Sequence, residues 1–213
     1  MAEDKGGIAA VTTHVEFARS VDRNILQQIA TLNSQGLQAL VEASRMNPHE
    51  RVSGVTRLDT LVGQPEPWSK VSQAPFLLFE WRALEGGCDD REQDWQVHEP
   101  HDPQGGWRKA EVWRRFARLA THLTAEICRH REVAARLLLG MPQPQCERWA
   151  ALSLSQIDRY AQRATHQIDL RWRDDGFWQR RVEAAMNEGD ESALWRNTLE
   201  GIQRLAVLGR SSR

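Results

Sequence analysis

The chain has 213 residues, 40% of them apolar and 27% charged, the balance of a globular protein rather than a collagen, a mucin-like stalk or a disordered tract. The formal net charge of −1 hides an asymmetry: residues 1–106 hold 9 Lys/Arg against 16 Asp/Glu, and residues 107–213 hold 19 against 13. Opposed halves imply either an anionic partner for the C-terminal half or mutual packing.

No apolar run approaches the roughly 20 residues that a membrane helix needs. Met1-Ala2-Glu3-Asp4-Lys5 is acidic and has no apolar h-region, so no secretory signal is expected. Cys88, Cys128 and Cys146 are too few and too scattered for a disulfide framework. A cytoplasmic chain is the expectation. Of the 28 basic residues 25 are Arg, for which a GC-rich genome is the plain explanation.

Residues 15–46 read as helix, with Val15, Phe17, Ala18, Val21, Ile25, Leu26, Ile29 and Leu32 at helical spacing and Leu37, Leu40 and Val41 continuing it. Asn47-Pro48 stops it. Residues 48–74 read mostly as loop with a short helix. Phe76-Leu77-Leu78-Phe79-Glu80-Trp81 fits a short strand by its length. Residues 86–106, rich in Gly, Asp and Pro, read as a loop or linker. The charge changes sign there. The predicted organisation is an acidic helical region over 1–85, the linker, a helical domain over 107–208 and a basic tail over 209–213.

Residues 107–139 carry the strongest predicted helix, roughly 48 Å long. Trp113, Phe116, Ala120, Leu123, Ile127, Ala134 and Leu137 draw one apolar stripe along it. A helix that long overruns a small core, which points to a partner subunit over Trp113, Phe116, Ala120, Leu123, Ile127 and Leu137. Gly140 suits the left-handed position after its end, and Pro142 and Pro144 forbid continuation. A short helix follows over 146–152. Ser153-Leu154-Ser155-Gln156 is a capping box for the next. Ile168 to Arg173 alternates as a half-buried strand with Arg171 and Arg173 on its polar face. Asp174-Asp175 caps a helix through Met186, and a last helix follows Gly189-Asp190. An echo between Ala30–Val41 and Ala150–Ala161, both helix, polar cap, helix, raises a duplicated unit.

No phosphate-binding glycine loop, His-Glu-x-x-His, Gly-x-Ser-x-Gly or paired-cysteine zinc spacing occurs in the sequence. Cys88 with His98 and His101, and Cys128 with His130, offer no fixed metal geometry, and Asp89, Asp90, Glu92 and Asp94 read as a solvated loop. The expectation is a non-enzyme without a cofactor. Among the nine Trp, those on apolar stripes, including Trp149, Trp178 and Trp195, are expected in the core or a subunit interface. Between Trp107 and Arg181 stand 15 Lys/Arg against 8 Asp/Glu. Arg159 and Arg163, four apart, share a helix face, and Arg171, Arg173, Arg180 and Arg181 lie just beyond. Helix, tight turn and capped helix with Arg outward is what a DNA-binding helix-turn-helix needs.

Residues 112–206 resemble FlhD, the smaller-subunit family of the bacterial flagellar master transcriptional activator. The carrying residues are Leu119-Ala120, Leu123 and Ile127, then Ala134-Ala135-Arg136-Leu137-Leu138-Leu139-Gly140-Met141. Next come Ala151-Leu152-Ser153-Leu154-Ser155-Gln156-Ile157-Asp158-Arg159-Tyr160-Ala161, then Leu170-Arg171-Trp172-Arg173-Asp174-Asp175 and Leu199-Glu200-Gly201-Ile202. The resemblance implies a mainly α bundle with a long dimerisation helix, a helix-turn-helix-like C-terminal region and minor short strands. It implies a homodimer or higher oligomer that joins a FlhC-like partner carrying cysteine-bound zinc and binds promoter DNA to activate transcription. FlhD-like proteins also occur on mobile elements. FlhD proper is about half this length and lacks residues 1–106, which favours a mobile-element or other regulator over a flagellar one. Arg159, Arg163, Arg171, Arg173, Arg180 and Arg181 are the residues expected at phosphate. The alternative is a helical adaptor or scaffold without DNA contact.

Overall fold

The structure, a computed structural model, describes residues 23–46, 55–81, 111–163, 165, 167–172, 176–187 and 191–208. The fold is mainly α. Helix α1 spans Arg23–Met46, the short α2 spans Val55–Leu58, and a 3-10 turn over Asp59–Leu61 leads to α3, Pro65–Ser72. Residues 48–74 thus hold more helix than their composition predicts. Strand β1, Phe79–Trp81, closes the first half. In the second half come α4 (Glu111–His130), α5 (Glu132–Leu138), α6 (Gln143–Ala151), α7 (Leu154–Arg163), strand β2 (Ile168–Leu170), α8 (Phe177–Met186) and α9 (Glu191–Leu208).

Helix α4 sits at the centre, packed against α1 on one side and α6 and α7 on the other. Its apolar stripe is therefore covered from within the chain: Trp113 and Ala120 are 0% exposed, and Phe116 and Ile127 are also buried. Gly36 lets α1 approach closely. A Cβ there would collide with the Phe79 ring and stand 2.6 Å from that of Phe116, and the two rings meet at 4.7 Å.

The predicted single helix over 107–139 breaks at Arg131, whose φ of −147° and ψ of 60° leave the helical region. The first piece has 20 residues, about 30 Å, so there is no long overhang. The break re-aims α5 so that Ala134, Ala135 and Leu138 face the core, and the Leu138 carbonyl accepts a 2.7 Å hydrogen bond from Leu77 N–H. Gly140 follows with φ +60°, the left-handed conformation its sequence position predicts.

The predicted capping box forms as drawn. Gln156 N–H donates to Ser153 Oγ at 3.3 Å, and Ser153 N–H donates to Gln156 Oε1 at 2.8 Å. No such pause exists in α1, which runs unbroken through Asn33, Ser34 and Gln35. The sequence echo is therefore not a repeated helix–turn–helix unit. Asn33 instead ties α1 to the chain leading into β1: its Oδ1 accepts from Leu78 N–H at 2.8 Å and its Nδ2 donates to Phe76 O at 2.9 Å.

The two strands, from opposite halves of the sequence, pair antiparallel, with Phe79 opposite Leu170 and Trp81 opposite Ile168. One apolar core runs from Ile25 through Phe79, Trp113 and Trp149 to Leu205. The described residues of regions 1–85 and 107–208 thus share a core rather than forming separate domains. Residues 86–106 and 209–213 lie outside the described residues. Among the described residues no helix is long and apolar enough to cross a membrane.

Candidate functional site

The six arginines assigned to DNA separate into distinct fates. Arg171 follows β2 and is 3% exposed. The strand is buried on both faces, so alternation does not bring Arg171 to water. Its Nε donates to Leu77 O at 2.9 Å, its Nη2 donates to Leu139 O, and its Nη1 lies 3.9 Å from Glu80. The guanidinium thus ties the end of α5 to the chain before β1. Burial pulls its pKa down to about 10, and Glu80 works in the opposite direction.

Arg181, on α8, is 0% exposed. Its Nε donates to Val71 O at 2.8 Å, and its Nη1 donates to Asn197 Oδ1 at 3.0 Å and Thr198 Oγ1 at 3.3 Å. It joins α3, α8 and α9. Burial alone pulls its pKa down to about 10. Arg180 is exposed, but Glu200 holds it at 2.9 Å. Arg159 stands on the exposed face of α7. Arg173 and the side chain of Arg163 lie outside the described residues. The predicted phosphate-facing set is corrected accordingly: Arg171 and Arg181 are internal clamps, and the phosphate-facing role cannot be theirs.

A further arginine serves the turn itself. Arg129 on α4 donates to Leu152 O at 2.6 Å and Ala150 O at 3.4 Å, satisfying carbonyls that the end of α6 leaves open. The α6–α7 corner is real and tight, and its geometry is held by α4.

The predicted dimer stripe is corrected too. Trp113, Phe116, Ala120 and Ile127 are spent on this chain's own core, and Leu123 packs half-buried against it. Leu137 alone of that set is exposed, at 38%. Trp149 and Trp178 are core residues as expected, whereas Trp195 is 60% exposed. Trp195, Leu199 and Ile202, four and three residues apart, share an outward face of α9. The Asp174-Asp175 cap lies outside the described residues. The cap position of α8 is Gly176, which makes no side-chain cap bond.

A scan against protein-family models finds no match, and searches of curated proteins and of solved structures find none either. The FlhD resemblance therefore rests on the sequence motifs.

Cys128 and Cys146 are buried, free thiols on facing helices α4 and α6. The Cys146 thiol donates to Met141 O at 3.8 Å; the neighbouring Cys146 and burial push the Cys128 pKa up, and the neighbouring Cys128 draws that of Cys146 down against its own burial. Met141 Sδ stands 3.8 Å from Cys128 Sγ. Among the described residues no three His, Cys, Asp or Glu side chains converge as a metal cluster. The groupings around Cys88, His98, His101 and Asp89 lie outside the described residues.

Sequence reasoning passed over Asn33 and misread Arg181. Both carried a signal. Asn33 lies four residues from Ile29 and from Leu37, and Arg181 four from Phe177 and Ala185, so each sits on its helix's apolar face.

Proposed function

We propose that the chain is a helical, protein-binding subunit of a transcription-regulating complex of the FlhD type, in which a FlhC-like partner makes most of the promoter contact. The observation that carries this reading is the inward direction of Arg171 and Arg181, which removes the centre of the expected phosphate-binding set. An exposed strip of Trp195, Leu199 and Ile202 supports a protein partner. Large aromatics are enriched among residues that anchor interfaces. The order of a Leu-Gly helix end, a short helix, a capped helix and an extended stretch supports the family assignment, as in the sequence resemblance.

The test is purification of the tagged protein from its native host at low salt, with and without nuclease. A cysteine-rich basic partner, with DNA retained only while that partner is present, is the expected result. Recovery of partners that do not bind DNA, unchanged by nuclease, overturns it. The same arginine burial favours a second reading, an adaptor with no link to DNA, and that outcome would select it.

A further inference from the structure

Three sulfurs meet in the core between α4 and α6. Cys128 of α4, Met141 of the joint after α5 and Cys146 of α6 are 3%, 2% and 0% exposed. Cys128 Sγ stands 3.8 Å from Met141 Sδ. Cys146 Sγ stands 3.8 Å from the backbone oxygen of the same methionine. The two thiols are neighbours of one another across the α4–α6 contact, and both are free. A free Cys packs like a small hydrophobe, so packing accounts for each residue singly. It does not ask that three soft donors share one spot.

Their spacing suits a metal ion. Three sulfurs bonded at about 2.3 Å and spread evenly in a plane lie about 4 Å from each other, close to the 3.8 Å between Cys128 Sγ and Met141 Sδ. Thiolate and thioether are soft donors, and that combination selects Cu(I). Zn(II) sites are built from Cys, His and carboxylate, and a thioether is not among those donors.

We propose that Cys128, Met141 and Cys146 bind one Cu(I) ion as two thiolates and a thioether. The ion replaces both thiol protons, which leave to solvent, and its oxidation state does not change. Two thiolates and a monovalent ion keep one negative charge, which Arg136 of α5 attracts and Glu132 of the same helix opposes. Cys128 and Cys146 sit on helices, whereas Met141 lies between α5 and α6, directly after Gly140 at φ +60°. A swing at that joint opens the site to the ion without parting α4 from α6.

The test uses the full chain, reduced and without oxygen, with Cu(I) as the probe and a chromophoric Cu(I) chelator as competitor. The chain is expected to take one Cu(I) from the chelator and to keep it in excess Zn(II). X-ray absorption is expected to show three sulfur neighbours at about 2.3 Å and no nitrogen or oxygen. Cys88→Ser leaves all three ligands in place and is expected to bind as the unaltered chain does. Cys146→Ala is expected to abolish binding. Because that variant empties a buried position, a second one keeps the core filled. Met141→Leu conserves side-chain volume, and is expected to weaken Cu(I) by at least about tenfold, no less than loss of an outer-shell partner costs a metal site. It should also lower the sulfur count from three to two. No uptake of Cu(I), its displacement by Zn(II), nitrogen or oxygen neighbours, loss of binding in Cys88→Ser, or unchanged affinity in Met141→Leu each overturns the proposal.

Discussion

The two buried arginines occupy sites of the same kind and differ in one respect. Arg171 lies where α5 ends and the two strands meet, and Glu80 is 3.9 Å away. Arg181 lies where α3, α8 and α9 converge, and its bonds among the described residues go to neutral oxygens. Both bond to backbone carbonyls that would otherwise be short of a partner. The difference teaches that hydrogen bonds to neutral oxygens can do much of the work of holding a guanidinium inside a protein.

Breaking the first clamp should have the largest effect. Arg171→Met orphans the Leu77 and Leu139 carbonyls and strips Glu80 of its ion pair, so a loss of about 3–4 kcal/mol is expected in urea unfolding. Arg181→Met loses three bonds to neutral groups but also removes a costly buried charge. About 1–3 kcal/mol is expected from the same measurement. A larger loss at Arg181 than at Arg171 would reverse the comparison.

Removing only the counter-charge sharpens it. Glu80 is 44% exposed, so water screens the pair, and Glu80→Gln should cost less than about 1 kcal/mol. The smallest effect on stability belongs to the surface. Arg159→Glu with Arg163→Glu should change unfolding by less than about 0.5 kcal/mol. If the partner makes most of the promoter contact, electrophoretic binding by the assembled complex should weaken by less than about tenfold for that pair of reversals. A loss of a hundredfold or more would return the DNA contact to α7.

Much of the fold was legible in the sequence because the signals were local. The capping box at Ser153 and Gln156 needs only four consecutive residues, and the left-handed turn at Gly140 needs one. Strand β1 was legible from the length of its apolar run. The break at Arg131 was not, because the apolar spacing passes smoothly across it and only packing of α5 against the Leu77 segment decides the bend. The pairing of β1 with β2 was equally hidden, since it joins residues about ninety positions apart. The arginine set failed for a related reason. Alternation places Arg171 outside only if one face of the strand is wet, and here both are covered. At Arg181 helical spacing places the side chain on the apolar face of α8, where its charge is an exception to the rule that Arg stays at the surface. Of the two places expected for Trp195, core and subunit interface, its exposure on α9 removes the first.

The central claim is that Arg171 and Arg181 hold the fold together from inside. Exchange of arginine Nε–H protons with water, followed by nuclear magnetic resonance on the intact chain, tests it most directly. Two slowly exchanging Nε–H signals are predicted at neutral pH, one missing from Arg171→Met and the other from Arg181→Met, against fast exchange at Arg159. Exchange of both signals as fast as that of Arg159 would contradict the claim and put these arginines back at the surface.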